Sequence, residues 1–197
     1  MKPLTDTEKR AKEAALVRAA ARVMSSRGLD SMTMDEVARE AGVAKGTLFL
    51  YFRKKEDLVQ AVFAEMAGAF GGVLAELGSS PLEAGELFRA LVTALLAHFD
   101  KKRDITGYSG GLPLSGPRRE ALRTRFASNM RLIADILSRC SEEGFLKLED
   151  PLFAASALFG LCRGSNTYAR AAGRTLPLGE RARRVTEIFL RGAGRPE

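Results

Sequence analysis

Two threonines, Thr5 and Thr33, each stand three residues ahead of a glutamate, Glu8 and Glu36. Each pair is followed by apolar residues at helical spacing and then by a glycine. At this spacing the threonine side chain accepts a backbone N–H one turn in, while the glutamate reaches back to the threonine's own N–H. Two orphan donors at a helix start are thereby satisfied together. Gly28 and Gly42 can then take the left-handed conformation that ends a helix without steric cost. Leu16, Ala19, Ala20, Val23 and Met24 make one stripe after the first box. Met34, Val37, Ala38 and Ala41 make a shorter one after the second. No stretch shows the sustained alternation of β-branched and polar residues that a half-buried strand needs. An all-α fold is therefore expected.

The same punctuation continues along the chain. A third short helix is expected over about 45–52 and a longer one over about 54–77. Ser79-Ser80-Pro81 reads as a break, with Ser80 as N-cap, Pro81 in the first helical position and Glu83 completing a box. A helix to about Asp100 follows, with a shorter one just after it. Thr106 to Pro117 holds four glycines and two prolines, a loop composition. Pro117 opens a helix to about Glu143, its face marked by Leu122, Phe126, Met130, Ile133, Leu137 and Cys140. Asp150-Pro151 opens another, to about Ala172, and Pro177 precedes a last one over about 179–191. That makes about nine helices. They divide into an N-terminal three-helix unit, residues 1–53, and a larger C-terminal helical bundle, residues 54–197.

Composition excludes several classes of function. The 197 residues include two cysteines, Cys140 and Cys162, and one histidine, His98. Two cysteines cannot build a disulfide framework, and this set cannot supply a four-ligand zinc site. No metal and no cofactor are expected. The N-terminus has no apolar signal core, and no apolar run approaches a membrane span. A soluble, cytoplasmic chain with no membrane partner is the expectation. The net charge of +7 favours a polyanionic partner. It does not locate the contact, because residues 1–60 carry 12 basic against 9 acidic groups, only +3 of the total.

The stretch Thr33 to Phe52, TMDEVAREAGVAKGTLFLYF, places two short helices around a tight turn at Gly42, the arrangement of a helix-turn-helix. Val37, Ala38, Val43 and Leu48 can pack the pair together, with Leu48 and Phe52 in the core. Lys45, Gly46, Thr47, Phe49 and Tyr51 would then face outward, and Leu50 is assigned to neither face. Such a surface suits a major groove, which admits one helix. Lysine and backbone N–H groups would meet phosphates, while hydroxyl and aromatic groups would meet base edges.

At these residues the chain resembles the TetR family of transcriptional regulators. The likeness runs from the first helix through GLDSMTMDEVAREAGVAKGTLFLYFRKKEDLV, roughly the first third of the chain. The family's recognition stretch, G-V-S-K-G-T-L-Y-x-x-F with a following K-E-x-L, stands here as Gly42 to Phe52 and then Lys55-Glu56-Asp57-Leu58. The resemblance implies that Thr33 caps the second helix and touches a phosphate. Lys45, Gly46 and Thr47 would meet phosphate and base edges, Phe49 and Tyr51 would project into or beside the groove, and Lys55 would bind phosphate from outside. Three positions depart from the pattern. Ala44 replaces a capping serine, Phe49 replaces a tyrosine, and Lys54 stands where a small polar cap is common and can add a phosphate contact.

The resemblance further implies a homodimer on a double-stranded DNA operator, with a small-molecule effector in the C-terminal bundle that releases a repressor. Pocket candidates are Phe63, Met66, Phe70, Phe88, Leu95, Phe99, Phe126, Met130 and Phe159, with His98, Tyr108 and Asn166 as polar contacts. Dimer candidates are Ala157, Gly160, Leu161, Gly164 and Tyr168 on the helix opened by Asp150-Pro151 and Val185, Ile188 and Phe189 on the last. Two rivals are a small helical enzyme using His98 and Tyr108 and a DNA-binding regulator without a ligand. Nothing in the sequence pairs His98 with Tyr108, so no enzyme is expected.

Overall fold

The computed structural model describes residues 5–103, 117–173 and 176–192. Among them lie eight α-helices and no strand: α1 (Asp6–Arg27), α2 (Met34–Glu40), α3 (Lys45–Tyr51), α4 (Lys55–Gly78), α5 (Ala84–Arg103), α6 (Pro117–Glu142), α7 (Pro151–Ala171) and α8 (Leu178–Gly192). The shorter helix and the glycine-rich loop expected after Asp100 fall on residues 104–116, outside the described residues, as does Tyr108.

The helices form two compact units. Among the described residues the first holds 5–67 and 117–123, and the second holds 68–103, 124–173 and 176–192. Both α4 and α6 contribute residues to each unit.

Unit one is built around the two capping boxes. Thr5 and Glu8, and Thr33 and Glu36, each make both reciprocal bonds. Leu16, Ala19, Ala20, Val23 and Met24 of α1 then pack with Val37 and Ala38 of α2, Leu48 of α3, Phe52, and Leu58, Val59, Val62 and Phe63 of α4. Leu16, Met24, Leu48, Phe52 and Leu58 are fully buried, each worth about 1.5–3 kcal/mol relative to exposure.

Unit two buries Phe88, Leu91, Leu95 and Leu96 of α5 against Ile133 and Leu137 of α6, Ala155 and Leu158 of α7, and Val185 and Phe189 of α8. Gly71 of α4 lets α6 come close. A Cβ there would lie 2.8 Å from Asn129 Oδ1.

Two expectations need correction. Helix α5 starts at Ala84, not at Pro81. The Ser80 hydroxyl donates to the Leu77 carbonyl at 2.7 Å, finishing α4 instead of starting α5. The Ala84 N–H is capped from a distance, by Glu143 Oε2 at 3.0 Å. Second, α4 is long and apolar enough to cross a membrane by length and composition, with a mean hydropathy of 1.6 over its best 18 residues. Glu65 and Glu76 interrupt the run residue by residue without bringing down its average. In the fold several of its apolar residues are packed, Leu58, Val59, Val62 and Phe63 in unit one and Phe70 and Leu74 in unit two, while Val73 is exposed.

Candidate functional site

The turn between α2 and α3 is fixed by backbone chemistry. Gly42 takes φ +66°, where a side chain would be strained. Its N–H donates to the Arg39 carbonyl at 3.1 Å, and the Val43 N–H donates to Ala38 at 3.0 Å. This is the paired closure of a Schellman end, with Val43 partly buried against the core. Ala44 then caps α3 with no side-chain hydrogen bond; only its carbonyl is used, by the N–H groups of Thr47 at 2.9 Å and Leu48 at 3.3 Å.

Within α3 itself only Leu48 is buried. With Phe52 just beyond, one turn on, it pins the helix to unit one. Lys45, Gly46, Phe49 and Leu50 are exposed, while Thr47 and Tyr51 are half-buried. Leu50 is 84% exposed and Phe49 38%. Arg53 and Lys54, directly after the helix, are exposed cations. The Lys45 ammonium sits 6.0 Å from the centre of the Phe49 ring and 2.8 Å from Asp35 Oδ1.

Two of the other predicted contacts are engaged inside the unit. The Thr33 hydroxyl donates to Glu36 Oε2 at 3.0 Å while accepting the Glu36 N–H at 3.3 Å. The Thr33 backbone N–H, which donates to the same oxygen at 3.1 Å, and then its hydroxyl hold the Glu36 carboxyl below its ordinary pKa. The box therefore contributes stability above the ordinary carboxylate range and loses it as pH falls through the lowered value. The half-buried Lys55 donates to the Asp30 carbonyl at 3.1 Å, tying the loop after α1 to the start of α4. Arg27 and Arg22 brace the first two helices through Glu36 at 2.8 Å and Glu40 at 2.6 Å. Sequence reasoning missed Asp35. Its link to Lys45 spans ten residues and a turn, and no local pattern marks it.

In unit two the aromatic pocket candidates touch one another. His98 stacks on Phe70 with ring centres 4.0 Å apart and meets Phe99 edge-on at 5.8 Å. Phe99 contacts Phe159 at 4.9 Å, and Phe159 contacts Phe126 at 5.4 Å. The run goes from buried Phe99 through half-buried Phe159 to Phe126, which is 47% exposed. Phe88, Leu95 and Met130 are buried in the same core. Asn166 is buried, and its Nδ2 donates to the Phe99 carbonyl at 2.9 Å. Phe63 lies instead in the core of unit one, and half-buried Met66 packs against it. Arg181, 4% exposed, is ion-paired with Asp100.

The dimer candidates divide by face. Phe153, Ala157, Gly160, Gly164 and Tyr168 form an exposed stripe along α7, and Ile188 is exposed on α8. Leu161 is half-buried. Val185 and Phe189 point the other way, into the core of unit two, where Phe189 meets Phe88 at 5.4 Å. Among the described residues no group of three or more His, Cys, Asp or Glu is arranged to hold a metal ion.

Residues 16–62 match the family model of bacterial regulatory proteins, tetR family. The fatty acid metabolism regulator protein of Bacillus subtilis (strain 168) is 38% identical over 63 residues, 32% of this chain and 32% of that one. The chain thus matches about a third of that relative's length. The HTH-type transcriptional regulator YvkB of the same organism is 23% identical over 181 residues, 88% of this chain and 93% of YvkB. Among solved structures, FadR of Bacillus subtilis, in complex with stearoyl-CoA, superposes with a TM-score of 0.73 at 22% identity, over 91% of this chain and 98% of that one.

Among the described residues the chain is all-helical, and its N-terminal unit presents a helix-turn-helix, the class of fold that places a helix in the major groove. Residues 16–62 carry the match to the TetR family of bacterial regulatory proteins, and over most of its length the chain is similar to YvkB.

Proposed function

We propose that this TetR-family transcriptional regulator is a homodimeric repressor that binds an operator through α3 and releases it when a small molecule occupies the unit-two bundle. The observation that carries the DNA-binding half is the outward face of α3, where one side chain is buried and the remainder are exposed or half-exposed beside Lys45, Arg53 and Lys54. Lys45 and Lys54 neutralise phosphates, Gly46, Thr47, Phe49 and Tyr51 lie along the groove, and Thr33 acts by capping α2. Lys55 acts by holding the loop after α1.

Two α3 helices about 34–36 Å apart would read half-sites one turn apart on a palindrome. The exposed stripe of α7 with Ile188 of α8 supplies a self-complementary apolar face for pairing the two copies. The effector has an apolar body, packed along the aromatic run from Phe99 to Phe126. FadR of Bacillus subtilis with stearoyl-CoA is a relative in fold whose ligand has such a body. Helix α4 is continuous and shared by both units, so it is the element through which occupancy shifts DNA affinity, by no more than the effector's preference between the two states.

The test is binding to duplexes selected from a random pool, with salt titration. Lys45→Ala should weaken binding on every sequence and reduce the slope of log affinity against log salt by about 0.9, one phosphate's share. An unchanged slope removes Lys45 from the phosphate contacts, and a pool that enriches no sequence rejects the regulator.

A further inference from the structure

Resting on that assignment of α3, we infer that Leu50 determines operator specificity by reading the C5-methyl group of a thymine in the major groove. Leu50 is the most exposed large apolar side chain among the described residues, at 84%. An isolated exposed leucine is unremarkable on a protein surface. Its position on α3 sets this one apart.

At 3.6 residues per turn, Leu50 points about 160° away from Leu48, the side chain that anchors α3, and only about 40° from Gly46 one turn earlier. Gly46 has no positive φ, and a Cβ built there meets nothing within 4 Å. The chain's own folding therefore does not require glycine at this place. What glycine gives is bare backbone on the outward face, so the helix can approach a partner closely and the Leu50 side chain can reach beyond it. Three exposed cations, Lys45 at the start of α3 and Arg53 and Lys54 directly after its end, fit this short helix to a polyanion rather than to an apolar protein surface.

Leucine has no donor or acceptor, so it gains only where it meets an apolar group. On the floor of the major groove the thymine methyl is that group; guanine, cytosine and adenine present polar edges there. Thr47, about 60° around the helix from Leu50, carries a hydroxyl for the neighbouring base edge.

The experiment uses the full chain and the duplex it selects from a randomised pool, with each thymine replaced in turn by uracil, which removes the methyl and nothing else. For the wild type, one replacement per half-site should weaken binding about fourfold, the worth of one methyl-sized apolar contact. Leu50→Ala should bind the thymine duplex more weakly and be indifferent to that same replacement. Its melting temperature should equal the wild type's, because an exposed side chain contributes little to stability. A wild type indifferent to every uracil, or a Leu50→Ala protein that responds as the wild type does, overturns the inference while leaving α3 as the recognition helix. A pool that enriches no sequence overturns both.

Discussion

The Lys45 ammonium lies 2.8 Å from one oxygen of Asp35 and 3.0 Å from the other, so α2 holds the cation at the start of α3 in the protein free of DNA. Both side chains are more than 60% exposed, which limits the pair to roughly 0–1 kcal/mol. A phosphate must compete with Asp35 for that ammonium, and the carboxylate itself repels DNA. Asp35→Asn should leave thermal stability nearly unchanged and tighten operator binding by up to about fivefold at low salt, with the gain shrinking as salt rises. Titrations of the two proteins on one duplex decide it. Equal affinities at low salt would mean that Asp35 does not restrain Lys45.

Gly46→Ala should move stability and function in opposite directions. Alanine is the better helix former by about 0.5–1 kcal/mol, and no atom obstructs its Cβ. Unfolding in urea should shift to a higher midpoint with an unchanged slope. If α3 lies against the groove, the same methyl stands between backbone and DNA, and operator affinity should fall severalfold. A variant that is stabilised and binds as tightly as the wild type would show that α3 never approaches DNA at this point.

Much of unit one was legible because its signals are local. Thr5 with Glu8, Thr33 with Glu36, and Gly28 and Gly42 each act within four residues, and the helix ends fall where they indicate. The start of α5 was misread because its determinants come from far along the chain. Arg139 donates to the carbonyls of Ser80 at 2.8 Å and Leu82 at 2.6 Å and pairs with Glu143, whose other oxygen takes the Ala84 N–H. That clamp spans some sixty residues, and the serine-proline signal at Ser80 loses to it. The same limit applies to helix faces. Apolar spacing put Val185, Ile188 and Phe189 on one stripe, whereas only packing against α5 turns Val185 and Phe189 inward and leaves Ile188 exposed. Phe63 and Phe70 likewise share α4, but they enter the cores of different units.

The two thiols should be inert in the folded protein. Burial pushes Cys140 up to about 11 and Cys162 up to about 12. At pH 8 neither forms the thiolate that reacts with disulfide reagents. Labelling should proceed only as unit two opens, and both thiols should titrate rapidly in denaturant. The sign of the linkage follows. The unfolded thiols ionise near 9, so the contribution is intact below that pH and is lost as pH rises toward the folded values of about 11 and 12. Fast labelling of either cysteine at pH 8 without unfolding would contradict the burial.

The α7 stripe makes the last prediction, and Ala157 is its best probe. Ala157 is exposed, sits between Phe153 and Gly160 on the stripe, and supports no part of the protomer's core. Glutamate is a good helix former, so Ala157→Glu should keep the helical content and melting behaviour of the monomer. In a symmetric pairing of α7 and α8 the stripe faces its own copy, and the substitution buries two carboxylates in an apolar contact, one from each protomer. Unpaired buried charge is costly enough to split a dimer of ordinary size. Sedimentation at micromolar concentration should therefore give a dimer for the wild type and a folded monomer for Ala157→Glu. Operator affinity should fall with it, because each monomer holds a single half-site. A variant that stays dimeric would move the interface off this stripe, and a wild type that sediments as a monomer on its operator would remove the dimer altogether.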